Sequence, residues 1–263
     1  DTPATIDWLL TDSRSLCFPE ETLFFALTTV RSDGARYIAD LYSRGVRNFV
    51  ISEAVSIDTQ RDSFSFDYYK DANFLIVGNV LKALQKLAEL HREQYQIPVI
   101  GITGSNGKTI VKEWLHQLLS PDRVINRSPR SYNSQIGVPL SIWQMNENSQ
   151  LGIFEAGISE PGEMRALQTI IRPTIGILTN IGGAHQENFS SLQEKCMEKL
   201  GLFKDCDVII YNGDDDFISN CVAQAMLSAR EIAWSRKDAE RPLYISKVLK
   251  QDDCTVVSYR YLG

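Results

Sequence analysis

The sequence predicts an α/β protein: a small α/β domain over residues 1–96, then over residues 97–263 a P-loop-type domain with a mainly parallel sheet flanked by helices. Three observations carry this expectation. Short apolar runs of strand length alternate with amphipathic stretches of helix length, the pattern of crossover units that feed a parallel sheet. A glycine loop joins one such run to one such helix. The 263 residues, 43% hydrophobic and 23% charged, suffice for a sizeable core, and two domains are the natural expectation at this length.

Taken in order, Leu23-Phe24-Phe25-Ala26-Leu27 and Phe49-Val50-Ile51 read as strands, with Tyr37, Ile38, Leu41 and Tyr42 at helical spacing between them. A polar interval over 58–71 precedes a strand at 74–77. The following helix carries Val80, Leu81, Leu84, Leu87, Ala88 and His91 on one face, with His91 expected at its solvated edge. At Gln96-Ile97-Pro98 the proline biases its predecessor away from helix, and the domain boundary is placed there. Val99-Ile100-Gly101-Ile102 is a continuous apolar run, as a buried parallel strand requires. Further strands are expected at 151–154, 175–178, 208–211 and 232–234, and the alternating tail over 243–263 reads as an added hairpin.

The net charge of −6 argues against an electrostatic grip on nucleic acid or an acidic membrane surface, so anionic ligands must be held locally. The five cysteines are odd in number, scattered and without histidine companions at metal-ligand spacing, which fits a reduced, cytoplasmic setting. No apolar run approaches the roughly 20 residues that cross a bilayer. Asp1-Thr2-Pro3 offers no signal core, and a start without methionine suggests an excised or incomplete beginning.

Gly104-Ser105-Asn106-Gly107-Lys108-Thr109 joins the strand ending at Ile102 to a helix whose expected apolar face is Val111, Trp114, Leu115, Leu118 and Leu119. Glycines let backbone amides converge on phosphate oxygens, and the helix N-terminus adds positive potential. Lys108 can then reach the terminal phosphates and Thr109 can ligate magnesium. The common P-loop pattern wants glycine where Ile102 stands.

That departure is explained by a resemblance. Gly101-Ile102-Thr103-Gly104-Ser105-Asn106-Gly107-Lys108-Thr109 resembles the nucleotide loop of the Mur ligases, which use a shorter T-G-x-x-G-K-T form. Tyr132-Asn133-Ser134-Gln135-Ile136-Gly137-Val138-Pro139, then Glu155-Ala156-Gly157-Ile158-Ser159-Glu160-Pro161-Gly162-Glu163, follow in the family's order. So do Thr179-Asn180-Ile181-Gly182-Gly183-Ala184-His185 and Asn212-Gly213-Asp214-Asp215. Asp12-Ser13-Arg14, with the strand from Leu23 and Asp33-Gly34, is similar to the UDP-precursor-binding domain of the late-acting members. The Glu-x-Gly-x-x-x-Pro-Gly-Glu segment is most similar to the branch that adds D-alanyl-D-alanine, whose Bacteroidetes forms can continue into an alanine racemase.

The resemblance implies an ATP-dependent amide ligase of peptidoglycan precursor synthesis, working through an acyl phosphate with ATP and Mg2+ as cofactors. Its implied partners are UDP-N-acetylmuramoyl-tripeptide, contacted by Asp12, Ser13, Arg14 and Asn133, and D-alanyl-D-alanine. The family's C-terminal domain finds no room in this chain, which implies a fragment inactive alone. Ala35 and Ile110 depart from the family, which often has histidine at the first position and Thr or Ser at the second. A tripeptide-stage ligase, a folylpolyglutamate-type ligase and a nucleotide-binding module without ligation remain as alternatives.

Read as residues, Glu155 ends an apolar strand at the open edge of a parallel sheet, where a carboxylate suits magnesium, while Glu160 better fits a helix cap near Pro161. Asn180 either recognises adenine or closes a turn, and Asn133 either contacts phosphate or precursor or forms a turn. Asp214, Asp215 and Asp216 face nucleotide or cap the helix near Phe217. Ser191-Leu192-Gln193-Glu194 is a capping box. By resemblance His185 holds or orients a second metal, and Lys199 takes the place of a carbamylated lysine, with Lys195 and Lys204 as alternatives.

Overall fold

The computed structural model describes residues 3–29, 32–57, 66–183 and 188–262. The chain divides into two compact units, Asp1–Leu87 and Ala88–Gly263, so the division falls inside a helix rather than at the proline expected to mark it.

In the N-terminal unit, strands β1 (Trp8–Leu10), β2 (Thr22–Phe25), β5 (Asn48–Ser52) and β6 (Asn73–Val77) form a parallel sheet in the order β1-β2-β5-β6. A short antiparallel pair, β3 (Thr28–Thr29) and β4 (Ser32–Asp33), follows β2. Helices α1 (Ile38–Ser43) and α2 (Glu53–Ile57) flank β5. β5 is buried nearly throughout because it lies between two neighbours, whereas Leu75 and Ile76 on the edge strand β6 remain exposed. Phe24, Phe49, Ile51, Ile38 and Leu41 centre the core, with Phe74 stacked on Phe49 at 5.2 Å between ring centroids. Helix α3 (Val80–Glu93) follows β6.

The C-terminal unit repeats strand and helix as the periodicity predicts. β7 (Val99–Thr103) leads to α4 (Lys108–Leu119), β8 (Ile125–Arg127), α5 (Gly137–Ile142), β9 (Leu151–Glu155) and α6 (Glu163–Ile171). β10 (Ile175–Leu178), α7 (Leu192–Leu200), β11 (Val208–Asn212), α8 (Asp216–Ala225) and β12 (Arg230–Ser235) continue it, and β13 (Leu243–Lys250) with β14 (Thr255–Tyr261) closes it. Among the described residues the sheet order is β14-β13-β12-β11-β10-β7-β9-β8, parallel except for the final antiparallel hairpin. From β9 the chain crosses β7 to reach β10, so the strand order reverses at β7. Ligands of such sheets bind outside the carboxyl ends of the strands at that reversal. The expected hairpin is present, and it joins the sheet only through Leu243 and Tyr244 beside Trp234 and Ser235, which leaves its faces exposed.

Two sequence expectations need correction. The inner face of α4 holds Val111, Leu115 and Leu119 with Lys112, whereas Trp114 and Leu118 are exposed by 63% and 72%. At 3.6 residues per turn the helix is turned by roughly 50° from the face that apolarity alone selects. The reason is polar: the Lys112 ammonium, fully buried, donates to the carbonyls of Ser128 (2.8 Å) and Arg130. A buried ammonium with satisfied donors outweighs the two side chains left outside. His91 is packed rather than solvated: its ring lies 4.5 Å from that of Trp143, and Nε2 is 2.9 Å from the Met145 carbonyl. Burial pushes its pKa below the ordinary histidine value, against the opposing carbonyl contacts.

Candidate nucleotide and metal site

β7 delivers the chain into a loop whose backbone requires glycine. Gly104 has φ +144°, and a Cβ there would lie 2.0 Å from Thr179 Oγ1. Gly107, at φ +83°, occupies the N-cap of α4, where no side chain caps the helix, so its first amides are left for an anion. Lys108 folds back over the loop, its Nζ donating to the carbonyls of Gly104 (2.8 Å) and Ser105 (3.4 Å). Burial pulls its pKa down, Glu155 opposes that, and Lys195 adds to it.

The turn after β10 locks the loop from the side. Thr179 Oγ1 donates to Asn106 O (2.6 Å), and the Ser105 amide donates to Asn180 O (2.8 Å). Asn180 Oδ1 accepts from the Asn106 amide (3.0 Å) while its Nδ2 donates to Asn106 O (3.3 Å). Each end of the Asn180 amide thus makes one hydrogen bond to the phosphate loop, half of what its two N–H groups and two lone pairs allow. Gly182 exchanges hydrogen bonds with Ser105 Oγ at 2.9 and 3.1 Å.

Glu155 ends β9 fully buried beside this loop. Its Oε2 accepts from Thr109 Oγ1 (3.0 Å) and Asn133 Nδ2 (3.4 Å), and its Oε1 lies 3.0 Å from Lys112 Nζ. Thr109 Oγ1 also meets Ser131 Oγ at 3.2 Å. A hydroxyl and a carboxylate oxygen side by side next to the phosphate loop fit magnesium, which takes one or two protein oxygens and completes its shell with phosphates and water. Among the described residues no cluster of three or more His, Cys, Asp or Glu could hold an ion by itself.

A cavity of about 140 Å³ opens here, lined by Gly104, Lys108, Asn133, Gly157 and Lys199 among others. Lys199 and Lys195 lie on the buried side of α7, at 3% and 1% exposure. Lys195 Nζ donates to Gly182 O (2.6 Å), whereas Lys199 points at the cavity. Burial, with Lys108 and Lys195 adding, pulls Lys199 down to about 8. An amine with that pKa carries an appreciable neutral fraction near physiological pH, the form that attacks carbon dioxide. His185 lies outside the described residues.

In the N-terminal unit, Asp12, Ser13 and Arg14 sit beyond the carboxyl end of β1. Arg14 forms a bidentate pair with Asp12 at 2.9 and 2.6 Å and holds that carboxyl below its ordinary pKa. The carboxyl ends of β2, β5 and β6 surround a cavity of about 460 Å³ lined by Thr28, Asp33, Ser52 and Asn79 among others. These share the sheet edge with Asp12–Arg14, but the three residues themselves do not line it.

The model of the Mur ligase middle domain matches residues 102–260. The chain belongs to the Mur ligase family. It is 35% identical over 201 residues to the UDP-N-acetylmuramoyl-tripeptide--D-alanyl-D-alanine ligase of Borreliella burgdorferi, covering 75% of this chain and 42% of that protein. The crystal structure of MurF from Acinetobacter baumannii superposes with TM-score 0.84 at 24% identity, over 99% of this chain and 55% of that one. The MurF ligase from Thermotoga maritima in complex with ADP gives 0.79 at 22% identity, over 97% and 56%. This chain thus spans about half the length of the relatives it matches.

Within this Mur ligase chain several acidic residues have assigned hydrogen-bond partners. Asp215 caps α8 by accepting from the Ile218 amide (3.1 Å), and Asp214 holds Ser235 and the Arg236 amide. The start of α6 is capped not by Glu160 but by Glu198 from α7, which accepts from Gly162 N (2.8 Å) and Met164 N (3.1 Å). Ser191 caps α7 as expected, but Glu194 returns to Ser190 rather than to Ser191. Sequence reasoning missed Lys112, although a lysine between Val111 and Leu115, one turn beyond Lys108, was its visible signal. Ser131 and the Gly182 carbonyl carried no signal, since their contacts join segments far apart in sequence.

Proposed function

We propose that this chain carries the precursor- and nucleotide-binding portions of a cytoplasmic, ATP-dependent ligase that joins D-alanyl-D-alanine to UDP-N-acetylmuramoyl-tripeptide. One observation carries the reading: the phosphate loop with Lys108 and the buried Lys199 line one cavity, and Asn133 in the same lining bonds to Glu155, whose carboxylate is paired with Thr109. The names of the relatives supply the substrates. No helix among the described residues is long and apolar enough to cross a membrane.

In the proposed reaction the precursor's terminal carboxylate attacks the γ-phosphorus of ATP in line, ADP leaves, and an acyl phosphate forms. The amine of D-alanyl-D-alanine then attacks the carbonyl carbon, phosphate departs, and the amide bond is made. Lys108 exchanges its loop carbonyls for phosphate oxygens, where its charge offsets the negative charge gathering in the transition state. The free amides at the start of α4 hold the phosphates in place. Magnesium, held by Thr109 and Glu155 and on the family's pattern by His185 and carbamylated Lys199, would neutralise phosphate charge. Carbamylation makes an N–C bond to carbon dioxide and releases a proton, giving Lys199 an anionic head beside Lys108 and Lys195. Asn133, bonded to Glu155 and lining the same cavity as Lys108, is assigned to the phosphate or the precursor end. Arg14 and Asp12 are assigned to the UDP end of the precursor.

Calorimetric titration tests this with UDP-N-acetylmuramoyl-tripeptide and, separately, magnesium plus a non-hydrolysable ATP analogue. Arg14→Ala should weaken the first alone and Lys108→Ala the second alone. Failure of the wild-type chain to bind the precursor while it binds nucleotide would overturn the substrate assignment.

A further inference from the structure

Lys112 has no part in the reaction above, yet it is the only lysine of α4 enclosed completely among the described residues. Its ammonium donates to the carbonyls of Ser128 (2.8 Å) and Arg130, and Glu155 Oε1 lies 3.0 Å away as its ion-pair partner. Glu113 Oε1, partly exposed, adds a fourth contact at 3.2 Å. Two of these inner partners, Glu155 and Arg130, bear directly on the site. The Glu155 oxygen that Lys112 engages is the one facing away from Thr109, so the other is left for Thr109 and Asn133. Arg130 is a non-glycine residue at φ 48°, a left-handed conformation that its surroundings must hold, and its carbonyl points at Lys112. The segment so shaped presents Ser131 to Thr109 and Asn133 to Glu155.

We propose that Lys112 is a positioning residue for the metal site: it fixes the Glu155 carboxylate by one oxygen so that the other joins Thr109 Oγ1 as a ligand pair. It also pins the segment over residues 128–133 that completes the pair's surroundings. The inference rests on the reading of this cavity as a magnesium–nucleotide site. Removing one partner of a buried ion pair leaves the other without its counter-charge and free to turn. Partners that orient a metal ligand typically account for about 10- to 100-fold in metal affinity.

The test is Mn2+ affinity, read by electron paramagnetic resonance in the presence of a non-hydrolysable ATP analogue. It compares wild type, Lys112→Met, the milder Lys112→Gln, Glu155→Gln, and Glu155→Gln combined with each Lys112 variant. Lys112→Met should weaken Mn2+ by about 10-fold or more, with an altered Mn2+ spectrum, and should cause no further loss in the Glu155→Gln background. Unchanged or tighter Mn2+ binding, or an equal loss in both backgrounds, would overturn the inference. Unfolding of both single Lys112 variants would assign the residue to the fold alone and overturn it as well. A wild type that binds no Mn2+ with nucleotide would instead overturn the site reading on which it rests.

Discussion

Replacing Lys199 by methionine should make the folded chain more stable near neutral pH, and the gain should fade in alkali. The side chain is 3% exposed, and burial brings its pKa from 10.5 to about 8, with Lys108 and Lys195 adding to the effect. The unfolded chain keeps this proton until about 10.5, whereas the folded chain releases it near 8. Between those values the unfolded state binds more protons, so wild-type stability rises with pH across that window. Below it the full cost of holding the charge inside stands, about 3 kcal/mol at about 1.4 kcal/mol for each pH unit. Methionine keeps most of the stem's volume without the charge and so removes that cost. Urea unfolding, followed by tryptophan fluorescence at about pH 7, 8.5 and 10.5, should show a gain of about 3 kcal/mol at the first pH that shrinks towards zero at the last. Dissolved carbon dioxide should stabilise the wild type and leave the variant unmoved, since only the amine can become a carbamate. Equal stabilities near pH 7, or a gain that stays constant with pH, would refute the account of a buried, costly ammonium.

Gly104→Ala should abolish nucleotide binding, because a methyl group would strike Thr179 Oγ1 in a backbone conformation that alanine rarely adopts; unchanged calorimetric affinity would contradict the loop geometry. Glu155→Gln should weaken Mn2+ in the nucleotide complex, and an undiminished Mn2+ signal would remove Glu155 from the ligand set. Trp114→Gln should shift stability by no more than about 0.5 kcal/mol, since the ring is exposed. Leu115→Ala, on the inner face, should cost about 2 kcal/mol, and equal costs for the two in urea titrations would restore the apolar face read from the sequence.

Most of the architecture was legible because it follows from local periodicity. Every expected strand of the C-terminal unit is present, since short apolar runs of three or four residues bounded by polar turns have few other places to go. The phosphate loop was legible for a different reason: its glycines are demanded by the backbone itself, at Gly104 and Gly107. What could not be read were the short edge strand β8 and the first strand β1, which lack any strong alternation. The face of α4 was misread because apolarity favoured Trp114, while the partners that draw Lys112 inward lie on another loop.

The sequence by itself determined the fold class, the phosphate loop and the family, because each rests on residues close together in the chain. The tertiary structure alone decided which oxygens of Thr109 and Glu155 face one another, that Asn180 bonds to Asn106, that Glu198 caps α6, and that Lys112 stands behind Glu155. Those contacts join segments tens of residues apart. Whether a carboxylate or an ammonium is satisfied in the interior depends on which backbone carbonyls and side chains the sheet brings beside it, and no local pattern encodes that.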